Sequence, residues 1–392
     1  MITIENCRLL FQKNPVGNCY KLSTKYVIRH RGTLCSGATI QKMIKEINGC
    51  LNKLPGRKLR FILEFENVRF TDKLTYIILE SLCYSLITDY GHKVTLRGKF
   101  YGNDDIFCGG VKCSPLRYLF GDRKDGMETF VQAFDKKCIE KNHYRRLVSG
   151  KEEISSPVFC NIMTEIKIFL SLFSDNVNYR TEVAEVVSEL TGNAWEHARS
   201  DCLIDIDVQE DFMKEGAPAE ESYYGVNIVV VNYSDILLGD ELKVKLKERD
   251  SSLLDQRCGM VKEAYAYHSR FFGERYDEND FFNVASFQDR VSSREDSGEY
   301  GGRGLPLLIR SLERQADTHL CYVLSGKNVI WFRLPYMEYN RDEWIGFNTS
   351  QNFLTDLPAE EVVGRGETFV PGTAFNLNFA MMSRRETVKS DR

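Results

Sequence analysis

The spacing of apolar residues marks the structural elements before any composition is considered. Ile40, Met43, Ile44, Ile47 and Leu51 recur at three- and four-residue intervals, which predicts an amphipathic helix. PGRK then makes a turn, and LRFILEF (Leu59 to Phe65) reads as a buried strand. Asp72 is placed to cap a helix through TDKLTYIILESLCYSLITDYG, which Gly91 stops. HKVTLRG predicts the next strand. This strand, helix, strand succession makes the first part of the chain α/β. From about Cys138 to Pro157 the chain turns polar and reads as a connector. Two helical stretches follow, near Phe159 to Phe173 and Thr181 to Ala198. Two strand-like runs come next, Cys202 to Val208 and Tyr224 to Asn232. A mixed region from Leu237 to Tyr300 precedes a Gly-rich turn, a helix ending near Arg314, and the strands HLCYVLS, NVIWFRL and TAFNLNF. The terminal SRRETVKSDR is polar and predicts a frayed end.

Length and charge narrow the class. At 392 residues the chain suits two domains better than one. Its 43% hydrophobic and 28% charged residues are a globular balance, not that of a disordered protein. Basic and acidic residues number 52 and 56, a formal net of −4, so nucleic acid is not an expected partner. No apolar run approaches the roughly 18 residues of a membrane span. The N-terminal MITIENCRLLFQKN lacks the apolar core of a signal peptide. A cytoplasmic protein with no membrane contact is expected. The twelve cysteines are scattered without a CxxC and read as reduced thiols. Cys108 and Cys113 are the closest pair, and no second pair completes a zinc site.

Two segments carry candidate chemistry. In EVAEVVSELTGNAWEHA, Val183, Val186, Val187, Leu190, Ala194 and Ala198 form an apolar arc on a helical wheel. Glu185, Glu189, Asn193 and Glu196 form a polar stripe beside it. Glu189 and Asn193 are four apart and so lie one turn apart on one face. An amide oxygen there can ligate Mg²⁺, and a carboxylate can orient or deprotonate a water or hydroxyl. The second segment is SGEYGGRGLPLL, in which Gly298, Gly301, Gly302 and Gly304 lead directly into a helix. Backbone N–H groups at such a start suit phosphate. Taken singly, each pattern also occurs on ordinary surface helices and turns.

Together and in this order, the two segments resemble the GHKL superfamily of ATPases. SELTGNAWEHA resembles its N-box and GGRGLPLL its second glycine box. PGTAFNLNF resembles the Gly-Thr strand that closes such domains. With the helix FCNIMTEIKIFLSLF ahead of the N-box, the chain is most similar to the anti-sigma-factor type of histidine-kinase-like ATPase. The resemblance spans roughly residues 150 to 382. It implies Glu189 as the base or water-orienting acid, Asn193 as the Mg²⁺ ligand, and His197 near the nucleotide. It implies Gly302 and Gly304 around the phosphates, with Arg303 between them in reach of one. Ser292, Ser293 and Arg294 fall in the implied ATP lid. One departure stands out. The family's first glycine box begins with an Asp that receives the adenine amino group. Here Asn232 takes that position, both glycines are missing, and Asp235 follows as a possible substitute.

The stretch from Leu59 to Gly98 resembles a STAS-type domain, the fold of anti-sigma-factor antagonists. The expected architecture is therefore α/β throughout. Residues 1–137 form a STAS-like domain, 138–157 a connector, 158–382 a GHKL (Bergerat-type) sandwich with a mixed sheet, and 383–392 a polar tail. The function the resemblance implies is an ATP-binding switch with Mg²⁺ and slow hydrolysis, acting on a protein partner or within a self-dimer. A Ser/Thr protein kinase of the anti-sigma type is the alternative, as is a scaffold with a degenerate nucleotide pocket.

Overall fold

Two sheets of opposite character organise the chain. The computed structural model describes residues 6–20, 22–100, 113–121, 123–151, 157–212, 222–292, 304–315 and 320–382. After a short helix α1 (Leu9–Gln12) come β1 (Lys25–His30), β2 (Leu34–Cys35), α2 (Gly37–Lys53), β3 (Arg60–Phe70), α3 (Lys73–Thr88) and β4 (Lys93–Phe100). All pairings here are parallel. β1 and β2 line one edge of β3, and β4 lines the other. The predicted elements appear with extended ends. The Asp72 carboxylate caps α3 by accepting the Thr75 N–H at 2.7 Å. A further helix, α4 (Gly126–Asp135), packs beside α3.

The second sheet contains β5 (Cys138–Glu140), β6 (His143–Val148), β7 (Cys202–Phe212), β8 (Tyr223–Asn232), β9 (Tyr322–Trp331) and β10 (Val363–Met382). Their order is β5-β6-β7-β8-β10-β9. Every described pairing in it is antiparallel. The mixed sheet expected for residues 158–382 is thus corrected. β8 and β9 run in the same direction, but β10 lies between them and turns both contacts antiparallel. The expected connector 138–157 is corrected as well, because it holds the hairpin β5–β6, which extends this sheet. Its polar residues hid it: His143 and Arg145 are buried strand residues whose partners are charges. The two runs HLCYVLS and NVIWFRL join as the single strand β9, which passes through Gly326. The helices are α5 (Val158–Leu170), α6 (Val177–His197), α7 (Asp240–Glu248), α8 (Gln256–His268), α9 (Glu278–Ala285) and α10 (Gly304–Gln315).

Both faces of this antiparallel sheet are covered, which is why YGVNIVVVN reads as a nearly continuous apolar run, interrupted only by the buried Asn227. Ile204, Ile206, Val226, Ile228 and Val230 face a core shared with α5 to α10. Leu203, Val229, Val231 and Tyr233 face the other way, into a core shared with α2 and α3. Those helices in turn cover Phe61, Leu63 and Phe65 of the parallel sheet. The layers run parallel sheet, helices, antiparallel sheet, helices. The apolar core therefore crosses the boundary expected near residue 137. α3, enclosed on both sides, is buried almost all round.

A buried ion network crosses the same boundary. Lys73 of α3 pairs with Asp205 at 2.6 Å and with Asp207, and the Tyr76 hydroxyl donates to Asp207 at 2.8 Å. Arg145 pairs with Glu80 at 2.8 Å and Asp205 at 2.7 Å, and His143 Nε2 lies 3.1 Å from Asp205. Burial alone would depress the His143 pKa, but Asp205 and Asp207 raise it to about 10 from an ordinary 6.5. A raised folded-state value means that this contribution is complete below pH 6.5 and is lost as pH rises through about 10. The urea midpoint should accordingly fall between pH 7 and pH 10. A His143→Gln variant, measured over the same range, should show a flatter profile; an equal slope in both would exclude His143 as the source.

Among the described residues, no helix is long and apolar enough to cross a membrane, and the eleven cysteines are free thiols. Cys108 of the close pair lies outside the described residues.

Candidate functional site

The helical side of the antiparallel sheet holds a cavity of about 560 Å³, within the usual range for small-molecule sites. One wall is the C-terminal half of α6. The Asn176 side chain caps this helix by accepting the Tyr179 N–H at 3.1 Å. Val183, Val186, Val187 and Leu190 are buried, which turns Glu189, Asn193 and His197 along the cavity. α10 packs against α6 and forms the opposing wall. Its first residue, Gly304, sits so close that a Cβ there would lie 2.6 Å from Glu189 Oε2. Pro306 is in the first turn of α10, where a missing N–H breaks no intrahelical bond.

The floor is built by the ends of β8 and β10. Asn232 pairs in register with Thr373, and both line the cavity. The Asn232 amide is held on both sides: its Nδ2 donates to Ser200 Oγ at 2.9 Å and its Oδ1 accepts the Thr373 N–H at 3.2 Å. Gly372 makes this approach possible. Its φ is +84°, and a Cβ would fall 2.4 Å from the Asn232 carbonyl oxygen. Leu190, Ala194, Val230, Leu242, Leu305 and Phe375 give an apolar interior.

Of the residues singled out from sequence, Glu189, Asn193, His197, Asn232, Ser292 and Gly304 line this one cavity. Asp235 does not line it. That carboxylate is 66% exposed and pairs with Lys13 at 2.6 Å, so it is no substitute for Asn232 as the structure stands. Gly302, Arg303, Ser293 and Arg294 lie outside the described residues. Sequence reasoning missed Glu241, Arg310 and Thr373. Glu241 meets His197 Nδ1 at 2.6 Å across the cavity edge. Arg310, on the cavity side of α10, pairs with Glu343 at 2.6 Å and lies over the Tyr339 ring. Only Thr373 carried a signal, the Gly-Thr of PGTAF. The other two gain their place from packing between distant elements.

A second cluster competes for attention. Ligand atoms of His143, Asp205 and Asp207 lie within 4.8 Å of one another. The Lys73 ammonium already bridges the two carboxylates, so this trio serves the fold as a paired ion network.

No family model, no curated protein and no solved structure matches the chain.

Proposed function

We propose that the cavity binds ATP with Mg²⁺ and that the protein is an ATP-dependent regulatory switch, a STAS-like unit joined to a GHKL-type sandwich. The reading is carried by one observation: Glu189 and Asn193, Asn232, and Gly304 come from three separate segments and meet around one cavity. The donor set suits a metal-bound phosphate. Two carboxylates, Glu189 and Glu241, face the space with Arg310 and His197. A bare polyphosphate would be repelled by those acids, whereas a metal-bound one brings its own compensating charge. Asn193 would hold the Mg²⁺ through its amide oxygen, and the first turn of α10 would face the phosphates. The apolar floor would take the base, with Asn232 and Thr373 as its polar contacts. Bound Mg²⁺ would supply charge neutralisation at the phosphates. Glu189 would orient a water and take its proton. Ordering of the chain around the nucleotide would then alter contacts with a partner.

Calorimetric titration of Mg-ATP tests this. The wild type should bind at micromolar concentration in a Mg²⁺-dependent way, and Asn193→Ala should bind about tenfold more weakly or worse, a loss of about 1.4 kcal/mol. No heat from the wild type at millimolar Mg-ATP would overturn the reading. A scaffold with a disused pocket is favoured by one specific feature, the commitment of both ends of the Asn232 amide to protein partners. It predicts that outcome.

A further inference from the structure

The net charge of −4 conceals a division. Residues 1–137 hold 23 Lys and Arg against 13 Asp and Glu, a net of +10, while residues 138–392 hold 29 against 43, a net of −14. The parallel sheet gathers part of that basic excess on one surface. Its inward residues Tyr26, Ile28, Phe61, Leu63, Phe65, Val94 and Leu96 face α2 and α3. Alternation sends the residues between them to the opposite face. The strand register aligns these in three rows across β1, β3 and β4: Lys25, Arg60, Lys93; then Val27, Ile62, Thr95; then Arg29, Glu64, Arg97. Five of the nine are cations, and Glu64, paired with Arg29 at 2.5 Å, is the one anion. Lys25, Arg29, Lys93 and Arg97 are exposed. The patch continues past the end of β1 into a hollow lined by Arg29, His30, Arg31 and Lys42.

We propose that this face binds the phosphodiester backbone of duplex nucleic acid without reading its sequence. Charge complementarity names a polyanion. The rows contain no aromatic side chain, so single-stranded bases find no stacking platform. The middle row is closed to solvent at Ile62 and Thr95. Val27, at the edge of that row, is its one exposed apolar side chain, too little for the central anchor of a protein partner, and protein interfaces are poor in lysine. Strands about 4.8 Å apart and rows about 6.6 Å apart spread the cations over one broad face, as backbone contact requires. The proposal does not depend on what fills the cavity, which lies beyond α2, α3 and the antiparallel sheet.

The test is fluorescence anisotropy of a labelled duplex of arbitrary sequence with the full chain, over a salt series. Binding should be measurable at low salt. With about four phosphates contacted, the slope of log K against log salt should be about −3.6. The Lys25→Gln/Lys93→Gln/Arg97→Gln variant should bind at least about tenfold more weakly, with a slope smaller by about 2.7, and with an unchanged urea midpoint. Should the triple variant fold poorly, Lys93→Gln alone should lower the slope by about 0.9. Asn193→Ala should bind the duplex as the wild type does. Absence of duplex binding at low salt overturns the proposal. So does wild-type affinity in the triple variant, or binding of polyglutamate or anionic vesicles in place of the duplex.

Discussion

Asp205→Ala is expected to lower the stability of the protein by about 3–5 kcal/mol, the range for removing one member of a buried ion network. Asp205 is 1% exposed and meets three cations: Lys73 at 2.6 Å, Arg145 at 2.7 Å and His143 at 3.1 Å. Burial would raise its pKa, yet Lys73, His143 and Arg145 hold it well below the usual carboxylate range. Its removal leaves those buried cations to Asp207 and Glu80, with the lost charge uncompensated. The network joins α3 to β6 and β7, so the loss should loosen the N-terminal layers from the antiparallel sheet. A folded domain has only about 5–15 kcal/mol to lose, so the variant should lose a large share of its stability. Glu360→Ala is the comparison. Glu360 pairs with Arg275 at 2.8 Å, but both side chains are more than 80% exposed. Such pairs contribute about 1 kcal/mol or less. Urea titration of the two variants measures the contrast, and equal shifts would show that the buried network does not hold the layers together.

On the proposed function, Glu189→Gln should slow phosphate release by about 10²- to 10⁴-fold while Mg-ATP affinity stays within about threefold, the signature of a lost general base in a retained pocket. The amide keeps the shape of the carboxylate but accepts no proton. Gly304→Ala offers a second route to the same defect. Its new Cβ would fall 2.6 Å from Glu189 Oε2. The carboxylate is the flexible party and would swing aside, at a cost of up to about 10²-fold in rate, which a displacement of about 1 Å can bring. Single-turnover phosphate release reads both variants. Wild-type release by Glu189→Gln would remove Glu189 from the chemistry while leaving the binding reading to the Asn193 titration.

Much of the local structure could be read from residue order. The helix carrying Glu189 and Asn193 announces itself through Val183, Val186, Val187 and Leu190, and the start of α10 through its glycines. The hairpin β5–β6 could not be read that way. A strand is recognised by apolar residues on its buried face, and β6 buries His143 and Arg145, whose compensating charges sit on α3 and β7. Asp235 shows the converse error. Its position three residues after Asn232 suggested a shared role, yet the chain turns at the end of β8 and sends it to Lys13.

By itself the sequence determined an α/β chain, the places of most helices and strands, and the turn-apart pairing of Glu189 with Asn193. These follow from periods of two and 3.6 residues, which are local properties of the backbone. Only the tertiary structure decided that those residues meet Asn232, Thr373, Arg310 and Gly304 around one cavity. It also decided that β10 lies between β8 and β9, that the N-terminal helices share a core with the second sheet, and that five cations align on one face. Each of these depends on contacts between residues tens to hundreds of positions apart, and neither residue of such a pair carries a local mark of the other.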